Sequence, residues 1–305
     1  GIPAVAPLLP AFQHGDFLTA IFPKIFARIP QELFDDDLKE VGRLLARLHN
    51  IGARRPFQHR PILSAETYGY DALDRLDRFV YPELWHRYRD AAEAICEYIE
   101  DELDPRDRIR IHGDCHKGNL LRTDPRGGTR PEFFFVDFDD CCQGPPIQDF
   151  YMLLSGAIDV DETAANELET LLDGYEELRK VPTNLHLIEA LRGLRIIHYA
   201  GWIAARWSDP FFPSLFPAFQ GGRDSYNYWV DECLRLEQIA NNLHRGRLCS
   251  RAGEVASRRP DDHECTELRS NRLSETIRFC SEVRQVKNIC QNEKRRKKIP
   301  SGILL

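Results

Sequence analysis

Two stretches decide how this chain is read: Ile111-His-Gly-Asp-Cys-His-Lys-Gly-Asn-Leu-Leu121, and Glu132-Phe-Phe-Phe-Val-Asp-Phe-Asp-Asp140 shortly after it. The first places Asp114 and Asn119 five residues apart on a loop between two short apolar runs. The second predicts a strand over Phe133 to Phe138 that carries Asp137 at its end. A carboxylate can accept the proton of a hydroxyl. A second carboxylate and an amide oxygen are hard ligands of the kind magnesium takes while keeping several waters. Gly113 and Gly118 let the loop turn tightly. Each residue alone also fits a structural role, Asp114 as a turn former, Asn119 as a cap and Asp137 as a strand end. Their order and spacing favour a shared chemistry, that of phosphoryl transfer, which needs a positioned nucleophile, a metal and charge compensation.

Around this core, Lys117 is the candidate cation for a transferring phosphoryl group. His112 reads as structural, its ring bonded to nearby backbone. Asp139 and Asp140 read as strand-end acids beside the metal ligands. Cys115 lies inside the loop, with no sign of an activated thiolate. Asp149, after Gln143-Gly-Pro-Pro-Ile-Gln148, is expected to cap the next helix and brace the loop.

The 305 residues, 42% of them hydrophobic, suffice for one large domain or two smaller ones. No run approaches a membrane span, and Gly1 to Pro7 lacks the character of a signal peptide. Nine cysteines without CxxC pairs read as reduced thiols of a cytoplasmic protein. The net charge of −7 conceals a division: residues 1–244 hold 26 Lys/Arg against 40 Asp/Glu, and residues 245–305 hold 15 against 8. The basic tail, ending in Lys294 to Lys298, is expected to be a disordered extension rather than a nucleic-acid site.

Leu18 to Phe22 is a β-prone run stopped by Pro23. Asp35 to Asp37 start a helix whose Leu38, Val41, Leu44, Leu45 and Leu48 share one face, and His49 and Gly52 close it. Further helices are expected over 71–79, 82–103, 150–158, 162–178, 185–207 and 224–243, with short strands at 109–111 and from Leu120. Trp202, Trp207, Phe211, Phe212, Phe216 and Phe219 read as core packing, and Thr123 to Arg130 as a long turn.

His112-Gly-Asp-Cys-His-Lys-Gly-Asn119 with the strand to Asp137 resembles the signature of the aminoglycoside phosphotransferase and choline kinase superfamily. Gly144-Pro-Pro-Ile-Gln-Asp149, Val41 to His49, His59-Arg-Pro61 and Ala205 to Pro213 resemble the bacterial stress response kinases within it. The resemblance covers about residues 1–240. It implies an α+β, protein-kinase-like fold of the aminoglycoside phosphotransferase type, mostly the helical C-terminal lobe with a small catalytic β-sheet. It divides the chain into a remnant of the N-terminal lobe and hinge (1–23), a helical catalytic lobe (24–244) and a tail (245–305). Asp114 is then the proton acceptor, Asn119 and Asp137 the Mg2+ ligands, with Asp137 also catalytic. Lys117, Ile21 and Phe22 are the contacts to ATP, the last two at a hinge near Ala20 to Pro23. The implied activity is Ser/Thr protein phosphorylation under stress by a monomer that binds no membrane or nucleic acid. The family's phosphate-covering loop, strand lysine and helix glutamate have no counterpart in the sequence, so a form impaired in gripping ATP is also expected. The alternatives are a small-molecule kinase acting on an aminoglycoside, choline or homoserine-like hydroxyl, and a non-catalytic binding module.

Overall fold

The computed structural model describes residues 5–124, 131–210 and 212–257. Phe211, most of the Thr123 to Arg130 turn and the tail beyond residue 257 lie outside the described residues. Chain order gives β1 (Phe12–His14), β2 (Phe17–Thr19), β3 (Ala27–Arg28), α1 (Asp35–Gly52), α2 (Asp71–Leu76), α3 (Pro82–Glu102), β4 (Ile109–Ile111), β5 (Leu120–Thr123), β6 (Phe133–Phe135), β7 (Cys142–Gly144), α4 (Gln148–Tyr151), α5 (Glu162–Glu176), α6 (Ile188–Ala205) and α7 (Arg223–Ser257). The arrangement is α+β, as expected. Among the described residues no helix is long and apolar enough to cross a membrane.

α1 forms where the apolar spacing puts it, and Leu38, Val41, Leu44 and Leu45 are all buried. Its three first-turn acids complement the helix dipole, and Asp37 also receives the Arg122 Nε of β5 at 3.3 Å. That bond ties the start of α1 to the sheet beside the motif loop. α1 packs on α5, α3 on α7, and α2 on α6. Two glycines allow the first of these crossings. A Cβ on Gly42 would sit 2.0 Å from the Leu171 carbonyl oxygen, and one on Gly174 would sit 2.0 Å from that of Lys39. The helices therefore meet backbone to backbone.

Among the described residues, three small antiparallel sheets complete the scaffold. β1 pairs with β2, β5 stands between β3 and β6, and β4 pairs with β7. Leu120 faces Phe135 across β5–β6, and Ile111 faces Cys142 across β4–β7. The motif loop thus leaves one sheet, at Ile111, and enters another, at Leu120. Each side is pinned by a different strand pair.

Several boundaries differ from expectation for physical reasons. The strand predicted to reach Phe22 ends at Thr19, and the Leu8 N–H bonds the Ile21 carbonyl at 2.8 Å instead. The Phe133–Phe138 strand ends at Phe135: the Val136 N–H still bonds the Asn119 carbonyl in register at 3.0 Å, but the opposing segment Lys117–Asn119 is a helical turn with no further strand to pair, and the backbone reaches φ +60° at Asp137. Cys142–Gly144, read only as a lead-in to a helix, is a strand because it completes β4's ladder. The helix expected over 150–158 is a single turn. α7 continues to Ser257, beyond the expected end at Leu243; Gly246 and Gly253 each cost only about 1 kcal/mol in a helix and no proline intervenes.

The aromatic group behaves as core: Phe219 is buried, and Trp202, Trp207, Phe212 and Phe216 pack against the core from its edge. Cys96, Cys115, Cys141, Cys142 and Cys233 are free and buried. At the other end of the chain the β1–β2 hairpin presents apolar side chains outward, with Phe17 at 76% and Leu18 at 80% exposure.

Replacing Gly42 by alanine forces α1 away from α5. A loss of about 1–3 kcal/mol is expected from the overpacked crossing, measured as a lower urea midpoint with an unchanged slope. An unchanged midpoint would show that the crossing is not close.

Candidate active site

The motif loop is built on a buried carboxylate. Asp149 lies in the first turn of α4, fully buried. Its Oδ1 accepts the Gly113 N–H at 2.9 Å, and its Oδ2 accepts the His112 N–H at 2.9 Å. His49, from the buried face of α1, brings Nε2 to Oδ2 at 3.0 Å, while its Nδ1 meets the Tyr175 hydroxyl at 3.0 Å. An ionised carboxylate only accepts, so Nε2 is the donor of that pair. Burial opposes ionisation of Asp149, but the His49 bond and charge and the Gly113 N–H outweigh it and hold the carboxyl below its usual range. Asp149 braces the loop as expected. It does not cap its helix, whose N-cap residue Ile147 makes no side-chain cap.

Above that brace the loop turns at Gly113, where φ is +84° and a Cβ would strike the Asp140 carbonyl oxygen at 2.3 Å. Glycine is required there on both counts. His112 is buried, its ring 4.6 Å from that of Phe138. Its Nε2 donates to the Val136 carbonyl at 3.0 Å, so it fastens the motif loop to the segment carrying Asp137. The role is structural, as expected. Its Nδ1 is buried and has no hydrogen-bond partner among the described residues.

Asp114 and Asn119 come together. The Asn119 Nδ2 donates to the Asp114 carbonyl at 3.0 Å and lies 3.4 Å from its Oδ2. That commits the amide nitrogen and leaves Oδ1 as Asn119's remaining polar atom. Asp137 follows Val136, whose N–H is bonded to the Asn119 carbonyl. Among the described residues its exposed carboxylate makes only a long contact, 3.4 Å, to the Asp139 N–H. A non-glycine residue at φ +60° carries backbone strain of order 1–3 kcal/mol. The geometry supplies two oxygens not committed to strong protein hydrogen bonds, on adjacent segments, and these fit a hard divalent cation. Asn119 and Asp137 are the residues that would hold it.

His116 turns its Nδ1 to the Gly118 N–H at 2.9 Å and its Nε2 toward Asp114 Oδ2 at 3.5 Å. Lys117 is half-buried in the short helical turn Lys117–Asn119 and makes no ion pair among the described residues. Cys115 is buried, and burial pushes its thiol well above the ordinary range, so it is not poised for reaction. Ile21 and Phe22 are exposed, at 44% and 54%, on the irregular segment leading to β3. No contact between them and the motif loop is seen among the described residues.

Sequence reasoning missed Arg195. This residue of α6 donates from Nη2 to Asp114 Oδ1 at 2.6 Å and also faces Asp140 Oδ2 at 3.8 Å. Nothing local announces it, since α6 lies more than seventy residues further along the chain. His49 was read only as a helix end. Its position four residues after Leu45, on the buried face, was the available signal.

A family model described as "Phosphotransferase enzyme family" matches residues 23–183. The serine/threonine protein kinase RdoA of Salmonella typhimurium is 34% identical over 256 residues, 80% of this chain and 72% of that protein. The stress response kinase A of Escherichia coli K12 is 33% identical over 253 residues, 79% of this chain and 72% of that one. Among solved structures, a microcompartment-associated aminopropanol kinase aligns with a TM-score of 0.56 at 19% identity, over 80% of this chain and 76% of its own. A choline/ethanolamine kinase family protein from Mesorhizobium loti aligns at 0.51 and 15%, over 78% of each. At these identities the structural likeness concerns the fold.

Asp149→Ala is expected to cost about 3–5 kcal/mol, because His49 and two N–H groups lose a buried acceptor. The sign of the pH effect follows from the depressed carboxyl. Its stabilisation is present above the unfolded value, about 3.9, and is lost as pH falls through the lower folded value. Acid unfolding of Asp149→Asn, followed by circular dichroism, should have a shallower slope below about pH 4 than the parent. Identical slopes would remove Asp149 from the account of acid stability.

Proposed function

The chain belongs to the phosphotransferase enzyme family, and from that premise we propose that it transfers the γ-phosphoryl group of Mg-ATP to a Ser or Thr hydroxyl of a protein, in a cytoplasmic stress response. The observation that carries the reading is the joint placement of Asp114 and Asn119 in one braced loop, with Asp137 on the segment bonded to it. Relatives named stress response kinase A and serine/threonine protein kinase RdoA, aligned over 72% of their own length, support the protein acceptor.

In this reading residues 24–244 are the catalytic lobe, and residues 1–23 with the hinge form its ATP side. Asp114 accepts the hydroxyl proton as the oxygen attacks phosphorus. Asn119 and Asp137 hold Mg2+, which when bound supplies charge neutralisation across the phosphates. Lys117 has its ammonium free for the transferring group. Ile21 and Phe22 present apolar side chains suited to the flat face of adenine. The rigid brace beneath Asp114 holds the base in place before substrate arrives, which is the entropic contribution positioning makes to rate.

The test uses γ-labelled ATP, the purified chain, and a mixture of cytoplasmic proteins and small hydroxyl compounds. Labelled phosphoprotein is expected. A labelled small molecule with no labelled protein would overturn the protein acceptor and leave the transfer chemistry standing. Asp114→Ala should abolish label incorporation, a loss of at least about 100-fold, with the fold intact by circular dichroism. Undiminished transfer in that variant would show that Asp114 is not the base.

A further inference from the structure

Asp114 stands beside Asn119, whose amide nitrogen lies 3.4 Å from its Oδ2, and shares one guanidinium with Asp140. A divalent cation held at Asn119 would compete for Asp114, and a base that coordinates metal can no longer accept a proton. One side chain separates these duties. We propose that Arg195 is a positioning residue that reserves Asp114 as the base by withholding it, together with Asp140, from the metal. This rests on the assignment of Asp114 as proton acceptor and of Asn119 and Asp137 as metal ligands.

Three observations carry it. First, Arg195 bonds Asp114 Oδ1 at 2.6 Å, a short charge-assisted contact, from a side chain only 16% exposed against a carboxylate only 17% exposed. At that burial the pair is poorly screened, unlike a surface ion pair. Second, the same Nη2 faces Asp140 at 3.8 Å. One guanidinium thus bridges the motif loop and the turn three residues beyond Asp137. Asn119 and Asp137 receive no such cation among the described residues. Third, the contact takes Oδ1 and leaves Oδ2 as the oxygen turned toward Asn119 and His116. The carboxylate is fixed by one oxygen and offers the other.

The supports of Arg195 suit this role. It projects from α6, whose Ile188, Leu191, Leu194 and Ile197 are buried, so its backbone cannot drift. Its neighbour on the helix, His198, stacks on Tyr68 with ring centroids 4.0 Å apart. Burial and then the Arg195 charge push His198 down to about 4, leaving Arg195 as the permanent cation on this side of Asp114. Lysine is a poor substitute, since its ammonium is a strongly hydrated point charge that loses more on burial beside Asp114 than the weakly hydrated guanidinium does.

The experiment compares metal binding and turnover in the full chain with Arg195→Gln, Asp114→Asn and the double variant, using Mn2+ as the probe by electron paramagnetic resonance without nucleotide. Freed of Arg195, Asp114 becomes available as a ligand, so Arg195→Gln should bind Mn2+ about fivefold more tightly. The double variant should return to the parent's affinity. Turnover of Arg195→Gln should fall about 100-fold with KM for ATP little changed, and Arg195→Lys should fall between the two. A merely structural loss would weaken metal binding and lower the melting temperature. Unchanged or weaker Mn2+ binding in Arg195→Gln would overturn the proposal, and so would tightening that persists in the double variant, which would mark a general field effect. Phosphoryl transfer retained by Asp114→Asn would instead sink the assignment of the base, an outcome read independently of the Mn2+ series.

Discussion

The site depends on one buried carboxylate. Asp149 accepts two consecutive backbone N–H groups, from His112 and Gly113, and a third donor from His49. Those bonds force the chain through the left-handed turn at Gly113 and so aim Asp114 outward. An alanine there would leave two buried amide donors unpaired, each costing about 1–3 kcal/mol. The brace also joins elements far apart in sequence: α1 through His49, α5 through Tyr175, and α4 through Asp149 itself. The helical lobe and the motif loop are therefore one mechanical unit, and the packing of α1 on α5 at Gly42 and Gly174 bears directly on where the base points.

On that platform the chemistry is a matter of allocating charge. His112 fastens the Asp137 segment to the loop, the Asn119 amide nitrogen is committed to Asp114, and Arg195 occupies one oxygen of Asp114. On the proposed reading, what remains uncommitted is one carboxylate oxygen to take a proton and two oxygens, on Asn119 and Asp137, to hold a cation. Transfer asks little more of the protein than such positioning and electrostatic preparation.

Much of this was legible in the sequence because the governing interactions are local. Asp114, Asn119 and the tight glycine turn lie within seven residues, and the Leu/Val spacing of α1 follows from helix geometry alone. The strand ends were less legible. Whether β6 stops at Phe135 or runs to Phe138 is decided by the Lys117–Asn119 turn, which ends the opposing strand and belongs to another segment, and by the left-handed backbone at Asp137. β7 was hidden because a three-residue strand with a glycine and two following prolines has no periodicity to show, and it exists only because β4 needs a partner. Arg195 and His49 were missed for the same reason. An arginine on an amphipathic helix and a histidine near a helix end are ordinary until the fold brings a carboxylate to each.

Everything in the proposed chemistry rests on whether Asn119 and Asp137 hold the metal of a bound nucleotide beside Asp114. A thermal-shift titration with Mg-ATP tests it most directly, since a ligand bound only by the folded state must raise the melting temperature. A rise is expected that saturates with Mg-ATP, is lost when magnesium is chelated, and is absent in Asp137→Asn. No rise at millimolar Mg-ATP, or an equal rise in Asp137→Asn, would contradict it.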